Sequence, residues 1–151
     1  MTPHRVTAGS RELATVEQTR AFGRELAGAL RAGDLIVLSG PLGAGKTALA
    51  QGLGQGLGVT GRVTSPTFVI ARVHPGPLPL VHVDAYRLRG AGAVDLDDLD
   101  LELELERAVV VVEWGEGVVE ALAPSRLEVR LERHADDRRT VTVTGVGPRW
   151  A

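Results

Sequence analysis

Asp34-Leu-Ile-Val-Leu-Ser-Gly-Pro-Leu-Gly-Ala-Gly-Lys-Thr47 is the stretch that decides the fold. Leu35-Ile36-Val37-Leu38 is apolar on both alternating faces, which suits a central strand of a parallel sheet covered by helices. The run breaks at Gly40 into a tight turn, and a second apolar segment begins after Thr47. Gly40 to Thr47 satisfies G-x-x-x-x-G-K-[ST], the P-loop pattern, between a strand and a helix as that pattern requires.

The chemistry explains the residue types. Gly40, Gly43 and Gly45 let the backbone turn its N–H groups inward as a nest for phosphate oxygens. The helix beginning near Lys46 adds the positive end of its dipole. Lys46 is expected on the β- and γ-phosphates, and the Thr47 hydroxyl on Mg²⁺. Leu42, Ala44 and Ala48 complete the backbone of the phosphate cradle. Glycine matches come cheaply in a chain with 19 glycines, but lysine does not: Lys46 is the sole lysine among 17 basic residues. An arginine-using chain keeps a compact ammonium at the one place where a point charge fits between phosphates.

A P-loop also needs a carboxylate at the end of a neighbouring strand to hold Mg²⁺ and its waters. Glu113 follows Val109-Val110-Val111-Val112, and Asp84 follows Leu80-Val81-His82-Val83. The two are expected to divide the work, one toward the metal and one toward the attacking water. His82, Asp84 and Tyr86 share a strand face by alternation. His82 reads as a hydrogen-bonded support for Asp84 rather than a metal ligand. Thr64, Ser65 and Thr67 bracket Pro66 in a loop suited to sensing the γ-phosphate.

Around this centre, Val6 to Ala8 suggests a short edge strand. Thr15-Val16-Glu17-Gln18 reads as a capping box opening a helix to about Arg31, ended by Gly33, with Phe22, Leu26, Ala29 and Leu30 as its apolar stripe. The P-loop helix is expected over about 45–57, with Gly58 past its end. Gly52, Gly54 and Gly56 inside it each cost about 1 kcal/mol relative to alanine, so packing must hold it. Strands are expected over 68–73, 80–86 and 109–112. Asp95 to Glu106 places seven acids in twelve residues and is assigned to a short acidic helix. A further short helix is expected in 117–122. Leu127 to Glu132 and Thr140 to Thr144 read as a hairpin joined by His134 to Arg139, and Trp150 lies at a frayed end.

At 151 residues, one domain is expected over 1–151. The absence of cysteine excludes a disulfide framework and thiolate metal sites. No apolar h-region or membrane-length stretch occurs, so a cytoplasmic protein with no membrane association is expected. A net charge of −2 and 3% aromatic residues argue against unaided nucleic-acid binding. The expected fold class is α/β: a three-layer P-loop NTPase type with a largely parallel central sheet and a C-terminal antiparallel hairpin.

GPLGAGKT, VTSPTF, HVDAYRL and VVEWGEG, in that order and spacing, resemble the TsaE (formerly YjeE) family of bacterial P-loop ATPases over about Thr15 to Gly117. The resemblance implies ATP and Mg²⁺, weak intrinsic hydrolysis, and work in threonylcarbamoyladenosine (t6A) modification of tRNA. It also implies the partner proteins TsaB and TsaD, with tRNA reached only indirectly through them. Carried over by position, Lys46 and Thr47 hold phosphate and metal, Glu113 serves the metal and Asp84 hydrolysis. Thr15 to Thr19 resembles the family's entry to its first helix near the nucleotide, making Thr19 a candidate contact. Arg138 or Arg139 of the last hairpin is implied near the base, Arg138 being the one chosen. Pro41 stands where the family often has Asp, Thr15-Val16-Glu17 replaces its acidic pair, and its tyrosine after the SPTF strand is missing.

A regulatory GTPase is excluded, because its N/T-K-x-D motif needs a second lysine. A small-molecule P-loop kinase and a nucleotide-dependent assembly switch, with hydrolysis secondary, remain as alternatives.

Overall fold

Leu35–Leu38 and Val109–Val112 lack a polar face because both sides of these strands are buried. The computed structural model describes residues 8–41, 45–59, 71–84, 105–113, 125–136 and 138–150, with Ala8 and Asp84 described by their backbone alone. These residues form, in order, β1 (Ala8–Leu13), α1 (Val16–Ala27), β2 (Leu35–Ser39), α2 (Lys46–Leu57), β3 (Ala71–His74), β4 (Leu80–Asp84), β5 (Val109–Glu113), β6 (Arg126–Arg133) and β7 (Arg139–Val146). A 3₁₀ turn follows at Pro148–Trp150.

The strands make one sheet in the order β1-β7-β6-β2-β5-β4-β3. β6, β2, β5 and β4 run parallel to one another. Both edges are antiparallel: β3 on β4, and β7 followed by β1 on β6. The α/β class is therefore borne out as a mixed sheet with a parallel core, and the C-terminal hairpin extends it.

Ile36, Leu38, Val111 and Val129 face Leu26 of α1 and Leu53 of α2 in a single buried cluster. The two helices meet through bare backbone. A Cβ on Gly23 would lie 2.5 Å from the Leu49 carbonyl oxygen, and one on Gly52 would collide with the Arg20 carbonyl. The glycines that weaken α2 by propensity are thus what lets α1 pack against it at this range. Gln51 and Gln55 border the contact, accepting from Arg20 Nε at 3.1 Å and Arg24 Nη1 at 2.7 Å.

Several boundaries differ from expectation. The first strand runs on through the polar Ser10-Arg11-Glu12, which an edge position permits because these residues face solvent. The capping box forms at Thr15, whose Oγ1 accepts from Gln18 N at 3.1 Å, but Gln18 Oε1 closes onto Ala14 N rather than Thr15 N. α1 ends at Ala27, not Arg31; Gly28, Ala29 and Leu30 continue it as a tighter turn bonded three residues back. Gly58 caps α2 in the left-handed conformation as expected. The last turn is not frayed: Arg149 Nε reaches Asp34 Oδ1 at 3.1 Å, and Trp150 packs partly buried on the core. Residues 60–70, 85–104 and 114–124 lie outside the described set, and with them the Ser65-Pro66-Thr67 loop, Tyr86, nearly all of the acidic segment, Trp114 and the helix expected in 117–122. Among the described residues no helix is long and apolar enough to cross a membrane.

Candidate nucleotide-binding site

β2 delivers the chain from a fully buried strand into the loop, and α2 carries it away. Gly40 and Gly45 flank that loop with φ of 139° and 106°. Gly45 occupies the N-cap of α2 in a left-handed conformation, and no side chain caps the helix there. Leu42, Gly43 and Ala44 lie outside the described residues.

Lys46 opens α2 and is 5% exposed. Its Nζ donates to the Gly40 carbonyl at 2.9 Å, so the ammonium folds back across the mouth of the loop. Thr47 and Ala48, in the same first turn, are half-buried. Thr19 is fully buried on α1; its methyl group lies 3.7 Å from where a Cβ on Gly45 would stand. Its hydroxyl donates to the Thr15 carbonyl at 3.3 Å, so it is the methyl that borders the loop.

The sheet register brings the acidic positions to the same end. Leu38 pairs with Glu113 across β2 and β5, and Asp84 pairs with Glu113 across β4 and β5. Both acids therefore stand at the carboxyl ends of adjacent parallel strands beside the loop, the place where open α/β sheets take ligands. Glu113 is 5% exposed and bonded through Oε2 to His82 Nε2 at 2.5 Å. His82 was expected to support Asp84, its neighbour on the same strand face. The observed bond instead crosses to β5, because His82 sits opposite Val111 and is diagonal to Glu113. His82 is fully buried, and its Nδ1 has no hydrogen-bond partner among the described residues.

The hairpin places its two arginines differently. Arg138 is on the surface, with Nη1 on Glu12 Oε1 at 2.8 Å and Nε on Asp136 Oδ2 at 2.5 Å. Arg139 is 7% exposed, and its Nε and Cδ lie 3.4 and 3.5 Å from the Cβ position of Gly45. The residue bordering the loop is thus Arg139. Hairpin register decides this: Arg133 pairs with Arg139, which puts Arg139 on the core face and turns Arg138 away.

Hard oxygen donors suit Mg²⁺, which usually keeps several waters and takes one or two carboxylates together with substrate phosphates. The residues fit that pattern: the Thr47 hydroxyl and the Glu113 carboxylate are oxygen donors at one end of the sheet, with Oε2 of Glu113 already oriented by His82. Among the described residues no cluster of three or more metal-ligating side chains occurs.

Comparison with known proteins gives the family. The family model for threonylcarbamoyl adenosine biosynthesis protein TsaE matches residues 13–141. The tRNA threonylcarbamoyladenosine biosynthesis protein TsaE of Streptomyces coelicolor is 63% identical, covering 87% of this chain and 93% of that protein. Its namesake in Bacillus subtilis is 39% identical, covering 89% and 84%. The crystal structure of Bacillus subtilis YdiB superposes with a TM-score of 0.78 at 34% identity, covering 94% of this chain and 88% of that one. The chain belongs to the TsaE family.

Proposed function

We propose that this protein binds and hydrolyses ATP with Mg²⁺, in support of t6A modification of tRNA together with TsaB and TsaD. The observation that carries the reading is the alignment of Lys46, folded into the mouth of a glycine-flanked loop, with Glu113 at the end of the adjacent strand. The names of the relatives support the tRNA-modification role. On nucleotide binding, Lys46 exchanges the Gly40 carbonyl for phosphate oxygens. Thr47 and Glu113 are the residues that hold the metal, which supplies neutralisation of phosphate charge. Asp84 is assigned to the attacking water, and the loop backbone from Gly40 through Leu42, Gly43, Ala44 and Gly45 to Ala48 cradles the phosphates. Thr19 closes the loop from α1. Of the hairpin pair, Arg139 rather than Arg138 is the better-supported nucleotide contact.

Fast hydrolysis usually needs an extra positive charge at the γ-phosphate. The chain has no second lysine, and Arg139, beside Gly45, is assigned to the base end of the nucleotide rather than to the γ-phosphate, so slow turnover alone and stimulation by the partners are expected. ATP hydrolysis measured with and without TsaB–TsaD tests this. Full turnover by the lone protein, indifferent to the partners, contradicts the division of labour. Transfer of phosphate from ATP to a small metabolite would instead establish a kinase.

A further inference from the structure

We propose that His82 is the positioning residue for Glu113, fixing the carboxylate by one oxygen so that the other is presented to the metal. The proposal rests on the metal role of Glu113 given above.

The buried surroundings of His82 argue against a mere filler. Its strand neighbours Val81 and Val83 and its cross-strand partner Val111 are all buried, and Leu80 is 0% exposed on the same face. An imidazole there leaves Nδ1 buried without a hydrogen bond among the described residues, a cost that a leucine or phenylalanine of similar bulk would avoid. The bond the ring does make runs to the strand-end carboxylate.

A carboxylate that ligates a metal only accepts, so in that role the bond is assigned as Nε2–H donating to Oε2. Glu113 is a long side chain on the last residue of β5, and this bond fixes the rotamer that carries its carboxylate. With Oε2 committed, Oε1 is the oxygen without a hydrogen bond among the described residues. Outer partners of this kind are worth roughly 10- to 100-fold in metal affinity.

The test compares His82→Leu, His82→Gln and His82→Asn in the full chain. Glutamine can set an amide N–H near the position of Nε2, whereas asparagine is too short to reach it. Mn²⁺ binding to each protein, saturated with a non-hydrolysable ATP analogue, is followed by electron paramagnetic resonance. Affinity for the same analogue in the presence of EDTA is measured by calorimetry. The expected result is Mn²⁺ affinity reduced roughly 10-fold or more in His82→Leu and His82→Asn, recovery in His82→Gln, and metal-free nucleotide affinity unchanged throughout. Wild-type Mn²⁺ affinity in a folded His82→Leu overturns the proposal. Should that variant fail to fold, equal Mn²⁺ affinities in the glutamine and asparagine variants overturn it. Glu113→Gln is measured alongside. Loss of Mn²⁺ affinity there but not in the histidine variants removes His82 alone; retention there removes the metal role of Glu113 with it.

Discussion

Two buried carboxylates divide this molecule. Asp34, 4% exposed, spends both oxygens: Oδ1 takes Arg149 Nε at 3.1 Å, and Oδ2 takes Arg31 N at 2.8 Å and Arg149 Nη2 at 3.3 Å. Glu113, 5% exposed, spends one among the described residues, on His82. Asp34 precedes β2 and ties the C-terminal turn to the α1–β2 connection; Glu113 ends β5, paired with Leu38 of β2 just before the glycine-flanked loop. Burying a carboxylate is costly unless its hydrogen bonds are made. A saturated one is therefore read as structure, and one left half-committed at a strand end is read as a site.

The same chemical change, carboxylate to amide, sharpens the contrast. Glu113→Gln retains an oxygen that can accept from His82, so the fold is expected to stay within about 1 kcal/mol of wild type by urea denaturation. Mg²⁺-dependent turnover in the presence of the partners is expected to fall about 100-fold or more, with nucleotide binding retained. Asp34→Asn should do the reverse. One oxygen becomes a donor facing the Arg149 guanidinium or the Arg31 N–H, costing about 2 kcal/mol of stability after allowance for the partly exposed arginine. Its nucleotide affinity should equal that of wild type. Matching losses of turnover in the two variants would erase the distinction.

The arginine pair gives a smaller test of the same idea. Arg139→Ala is expected to weaken ATP binding about 10-fold, and Arg138→Ala less than about 2-fold, because the latter loses only exposed ion pairs. Calorimetric titration of both variants decides it; equal losses would return Arg138 to consideration.

The smallest effect concerns a third kind of buried polar group. His74, on β3, has a buried Nε2 with no hydrogen bond among the described residues. Burial holds its pKa below the ordinary 6.5, with His82 and Arg72 adding to the depression. The unfolded chain therefore binds a proton more readily, and the stability contributed by neutral His74 is present above pH 6.5 and lost as pH falls through the folded value. Stability measured from pH 7 to pH 5 should drop more steeply in wild type than in His74→Gln. Parallel curves would show that His74 is not the group responsible.

What was legible in the sequence was local. The P-loop and the strand-end Glu113 are contiguous patterns whose spacing carries their meaning. The His82–Glu113 bond depends on the register of β4 against β5, which alternation within one strand does not give. The choice between Arg138 and Arg139 turns on one residue of hairpin register, and each step reverses the face. Asp34 and Arg149 are 115 residues apart in sequence, with nothing local to couple them. Gly52 was readable as a cost to α2 but not as a helix contact, since the colliding atom belongs to the Arg20 backbone. An edge strand was legible at Val6 to Ala8, but its run on to Leu13 was not, because the residues that continue it are polar, as solvent exposure allows.

The central claim is that Gly40–Thr47 closes on nucleotide phosphates through Lys46, and one measurement addresses it directly. Calorimetric titration of ATP with Mg²⁺ into wild type and Lys46→Ala, with circular dichroism to confirm that both are folded, isolates the ammonium that now rests on the Gly40 carbonyl. Replacing a phosphate-binding charge should weaken affinity about 100-fold or more, the scale of one to two charge-assisted hydrogen bonds, while leaving the dichroism unchanged. Wild-type affinity in a folded Lys46→Ala protein would contradict the assignment of this loop as the nucleotide site.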